Sequence, residues 1–159
     1  MRGAVAAVAL LLACAKPEPA GVDGAADSAV TPACMEATQH SDLAWIEQNM
    51  FEGSCVFSSC HSGTATTPST TIDLHVGQSR THLVGVASMI DPSRTLVVAS
   101  APRQSWLLVM LGQVAPGDAD PPASPIPTDV GTMPQGTGGQ LLCPEKRDAI
   151  ERWIAAGAN

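Results

Sequence analysis

Cys55, Cys60 and His61 are the residues whose types and order can do chemistry in this chain. They lie in Gly53-Ser54-Cys55-Val56-Phe57-Ser58-Ser59-Cys60-His61, where an imidazole directly follows the second of two thiols. Such a pair can form thioethers to the two vinyl groups of a haem, with the adjacent histidine supplying a nitrogen to iron. A thioether at Cys60 fixes one porphyrin edge, so His61 reaches the metal with little conformational freedom left to lose. The usual spacing is Cys-x-x-Cys-His; here four residues separate the thiols. The extra residues must loop outward, and the hydroxyls of Ser58 and Ser59 suit such a turn. The same side chains allow two other readings: a Cys55–Cys60 disulfide with His61 an ordinary surface residue, or a zinc site.

Elements on either side must hold this segment. Ser41 to Phe51 reads as a helix that delivers the chain to Cys55, with Ser41 as N-cap and Asp42 favouring the positive end of the dipole. Its Leu43, Ile46 and Met50 share one face, and Gly53 marks its end. Ser62 to Thr71 is small and polar, a loop, and Ile72 to His75 resumes briefly in extended form. Ser79 to Val84 reads as a short helical turn and Thr95 to Ala99 as an extended apolar piece. Ala101 to Gly112 reads as one helix with Pro102 at its first position and Gly112 as its stop. Residues 112 to 142 are rich in Gly and Pro without periodicity, a loop whose length in a compact domain asks for a function. The last helix spans Pro144 to Ala156, with Ile150, Trp153 and Ile154 facing inward toward Ile46 and Met50.

The N-terminus points to a compartment. Met1-Arg2 is a positive start, Gly3 to Leu12 an apolar run, and Leu11-Leu12-Ala13-Cys14 has the form of a bacterial lipoprotein cleavage site. Residues 1–13 are then a signal peptide, Cys14 the lipidated N-terminus, residues 14–33 a flexible tether and residues 34–159 the folded domain. This places the domain in the bacterial cell envelope, held to a membrane by lipid, on the periplasmic side or at the outer membrane. Disulfides persist there. If Cys14 carries lipid and Cys55 and Cys60 carry haem, Cys34 and Cys143 are left to pair. If all four domain cysteines formed disulfides, three pairings would be possible, and the sequence does not choose among them.

At pH 7 the formal net charge is -7, and loss of Arg2 with the signal makes the mature chain more acidic still. Nucleic acid, which needs clustered Lys and Arg, is excluded as a partner; a basic redox protein of the envelope fits better. Aromatic residues make up only 3% of the chain and Tyr is absent, so a porphyrin would supply the flat apolar body that the side chains lack.

Taken in order, these features resemble the single-haem c-type cytochrome domains of bacterial cell-envelope proteins. The carriers are the helix before Cys-x4-Cys-His, Leu83 to Val86, Pro102 followed by Ser105-Trp106-Leu107-Leu108, Met133-Pro134 in a Gly-rich loop, and the closing Glu151 to Ala158. The likeness covers roughly residues 40 to 158, and the attachment spacing is its departure from the common pattern. The resemblance implies a mainly α fold, a small cytochrome c-like helical domain with long Gly/Pro-rich loops. It also implies one covalent haem c held by Cys55 and Cys60, with His61 and Met133 as axial ligands of the iron. Rivals for the sixth position are Met89, before the turn at Asp91-Pro92, then Met35, Met50 and Met110, or a histidine among His40, His75 and His82. Two protein ligands leave no open coordination position, and no nucleophile or carboxylate pair asks for catalysis, so the expectation is an electron carrier and not an enzyme. The alternative from another class is a haem-free, disulfide-stapled surface lipoprotein acting as a binding module.

Overall fold

In the computed structural model the described residues are 31–56, 60–64, 71–135 and 142–159. The expected signal peptide, the expected lipidation site Cys14, nearly all of the expected tether, and Ser58 and Ser59 lie outside them. Helices joined by long loops make up the domain, and pairing between extended segments is confined to isolated bridges among the described residues. No helix among these residues is long and apolar enough to cross a membrane.

The first helix, α1 (Pro32–Ala37), begins inside the stretch that sequence reasoning assigned to the tether and the domain's edge. Thr31 caps it, its hydroxyl accepting from the Cys34 N–H, and proline occupies the first turn where no amide is needed. The second, α2, starts as Leu43–Ile46, continues as a π-helical turn over Glu47–Phe51 and closes with an α turn over Glu52–Ser54. Its cap is Asp42 and not Ser41: the Asp42 carboxylate accepts the Trp45 N–H at 2.9 Å. Gly53, expected as its stop, lies within the final turn, and the helix hands over at Cys55.

A short helix α3 (Ser79–Leu83) leads into a web of bridges, Val84 with Val97, Ala87 with Thr95, and Thr95 with Ser105. These explain why residues 101–112 are not one helix. Pro102–Gln104 forms a 3-10 turn, Ser105 is extended, and only Trp106–Met110 is α-helical, named α4. The N–H groups of Trp106 and Leu107 are used by the carbonyls of Thr95 and Leu96, at 3.0 and 2.9 Å. The Ser105 hydroxyl accepts from the Val98 N–H and donates to the Ala101 carbonyl. Tertiary partners for these polar groups outweigh local helix propensity.

The closing helix α5 (Pro144–Ala155) runs nearly as the spacing predicts, with proline in its first turn and Gly157 beyond its end at φ 106. Its Ala149, Ile150, Trp153 and Ile154 are buried. They join Ile46, Met50 and Phe51 of α2, Leu83, Val97, Leu108 and Val109 in one core, each large aliphatic side chain contributing roughly 1.5–3 kcal/mol. A disulfide joins Cys34 to Cys143 across 109 positions, with Cα atoms 6.3 Å apart. It ties α1, the unexpected first helix, to the start of α5.

The basic side chains act as staples. Arg80 donates to the Ala158 carbonyl, Arg94 to Pro121 and Pro122, Arg103 to Asp118, Arg147 to Gly112, and Arg152 to both Ala37 and His40. Each clamps distant segments by main-chain oxygens.

Candidate functional site

The Cys55–His61 segment is closed by its own backbone. Cys55 ends α2, its N–H bonded to the Phe51 carbonyl at 2.8 Å, and its carbonyl accepts the His61 N–H at 3.0 Å. The excursion from Cys55 to His61 therefore begins and ends at nearly one point. The His61 carbonyl in turn accepts the Leu74 N–H at 3.0 Å, and Ser62 pairs with Asp73 in an antiparallel bridge. In that register His61 lies opposite Leu74, whose side chain is buried in the core.

Cys55 and Cys60 are free thiols, in contrast to the joined pair Cys34–Cys143, so the small-loop disulfide is not formed. Their environments differ. Cys55 packs against the core, and burial, with a smaller push from the charge of Cys60, raises its thiol from an ordinary 9.0 to about 12. Cys60 is exposed. Among the described residues one grouping brings three metal-type donors within 4.8 Å of one another: Cys34, Cys143 and Glu145. Its sulfurs are bonded together and offer no thiolate. Cys55, Cys60 and His61 do not converge in this way, as the four ligands of a zinc ion would.

The ribbon opposite His61 is tightly built. One Asp73 oxygen accepts both the His75 N–H at 3.0 Å and the His75 ring nitrogen Nδ1 at 2.8 Å. These two bonds, the backbone one first, hold the Asp73 carboxyl below its usual range. Gly63 faces the same carboxylate at φ 70, and a Cβ there would stand 2.7 Å from it. Only glycine fits that approach.

Met133 packs half-buried against the same core as Cys55, with its N–H on the Met110 carbonyl at 2.8 Å. The long loop is thereby pinned to the end of α4. The rivals are placed differently: Met50 and Met110 are buried core, while Met35 and Met89 are exposed. His40 stacks on Trp45 at 4.2 Å and bonds Asp42, His75 is engaged by Asp73, and His82 sits half-buried on α3. One turn before Met110 on α4, Trp106 is 3% exposed, and its indole N–H is buried with no acceptor. The Arg94 guanidinium lies 6.0 Å from its ring.

Sequence reasoning passed over Glu47, a carboxylate buried to 3% exposure in the middle of α2. The signal was visible: Leu43, Glu47 and Met50 fall at i, i+4, i+7, so an acid sits on the apolar stripe. No family model, curated protein or solved structure matches this chain.

Proposed function

We propose that this chain is a lipid-tethered electron carrier of the bacterial cell envelope, with one haem bound covalently through Cys55 and Cys60. The observation that carries the reading is the pair of unjoined thiols on a loop closed at Cys55 and His61, in a chain whose other two domain cysteines are bonded. The donor set suits the group: two thiols for vinyl carbons, the imidazole of His61 and the thioether of Met133 for iron. The buried, unpartnered indole N–H of Trp106 supports it as well, since an anionic porphyrin edge would supply the missing acceptor. When bound, the haem supplies a single-electron couple. The chain holds the ligand segments, excludes water with the apolar residues around Cys55 and Met133, and sets the donors.

Intact-mass measurement and a reduced-minus-oxidised spectrum of the full chain, matured in a strain with cytochrome c assembly, test this. The expected result is one haem increment that survives denaturation and is lost in Cys55→Ser with Cys60→Ser. A colourless product with no increment overturns the reading and leaves the stapled binding module. Met133→Ala is expected to keep the haem and gain rapid carbon monoxide binding to the ferrous form.

A further inference from the structure

Two carboxylates on α2 bond to one stretch of main chain instead of to cations. Glu47 accepts the Gly77 N–H at 2.8 Å on one oxygen, and the Ser79 N–H at 3.3 Å together with the Ser79 hydroxyl on the other. Glu52 accepts the Val76 N–H at 2.9 Å. In an α-helix, residues five apart point about 140° from each other. The π-helical turn over Glu47–Phe51 closes much of that angle, and its i to i+5 bond runs from the Glu52 N–H to the Glu47 carbonyl. Both acids therefore reach the same segment. Among the described residues no cation pairs with Glu47.

The gripped segment continues the ribbon that holds His61. Leu74 donates to the His61 carbonyl and Asp73 pairs with Ser62, two or three residues before Val76. A closed ring results: α2 leads through Cys55 to His61, across to Leu74, along to Gly77 and Ser79, and back to α2 at Glu47. We propose that Glu47, aided by Glu52, is a positioning residue that fixes the backbone of His61 relative to Cys55. Its significance for iron ligation rests on the haem reading above. A buried carboxylate satisfied only by neutral donors is costly to keep for packing alone, and here it is spent on the segment that registers the imidazole.

The test compares the full chain with Glu47→Gln, which keeps shape but turns an amide NH₂ toward N–H donors, and with Ser79→Ala, which removes a single bond. An Ile154→Val variant matched in global stability serves as control. In the haem-free protein, the amides of His61 and Leu74 are expected to exchange about tenfold faster in Glu47→Gln than in the control, while those of Trp106 and Leu107 follow the control. In the matured protein, Glu47→Gln is expected to retain the haem mass and shift the paramagnetic NMR resonances of the His61 ring. Uniform loosening equal to the control overturns the proposal. So do unchanged ring resonances in a haem-loaded variant. A wild-type chain without haem overturns the electron-carrier reading alone, because the exchange measurement still decides whether Glu47 holds His61.

Discussion

The two thiols differ in what water can reach. Burial lifts Cys55 to about 12, which leaves it about a thousandfold less thiolate than an ordinary cysteine near pH 8. In haem-free protein, iodoacetamide at pH 8 should label Cys60 rapidly and Cys55 only after unfolding, as peptide mapping will show. The sign of the linkage follows: the contribution of Cys55 to folding is complete below pH 9 and declines as pH rises toward 12, where the unfolded thiol ionises first. Asp73 runs the other way. Its contribution is present above the usual 3.8 and is lost as pH falls through its lowered folded value. Hydrogen exchange at the Leu74 amide should therefore quicken below pH 4 more than at buried Val97. Gly63→Ala would bring a Cβ onto Asp73 at a positive φ; a loss of about 1–2 kcal/mol is expected, read from a urea midpoint.

Among the elements, those whose signals are local were legible. The α5 helix, with its proline start, inward stripe and closing glycine, falls within a residue of its expected end, and α3 and the extended piece at Thr95 are also where the spacing puts them. Two of the misses share a cause. Trp106 and Leu107 gave their amides to a neighbouring extended segment, which no window on the sequence reveals, and α2 carries a π turn where Glu47 and Glu52 both accept from distant main chain at Val76 to Ser79. The α1 helix was readable from Thr31-Pro32 and was masked by the Ala-, Gly- and Pro-rich composition of the residues before it. At the candidate site, residue types at Cys55, Cys60 and His61 were plain from spacing. Their closure by one backbone bond and the restraint by Glu47 were not, since both depend on contacts made after the chain folds. Arg152→Ala, which removes two bonds to carbonyls near the end of α1, should lower stability by about 1–3 kcal/mol in the same assay, chiefly by loosening the end of α1 that the disulfide does not hold.

For the whole molecule, the Cys34–Cys143 bridge sets the scale of stability. A loop of 109 positions corresponds to about 4–5 kcal/mol of restricted unfolded-chain entropy, so reductant or Cys34→Ser with Cys143→Ser should shift the denaturation midpoint far below that of any single surface change. The bridge also decides where force goes. A pull on the chain ahead of Thr31 is carried through one helical turn into the sulfur link and on into α5, whose inner face is buried in the core. Residues 35 to 142, with the thiol loop among them, lie inside that link and off the direct covalent path between the two chain ends, so tension between those ends would largely bypass the imidazole's seat.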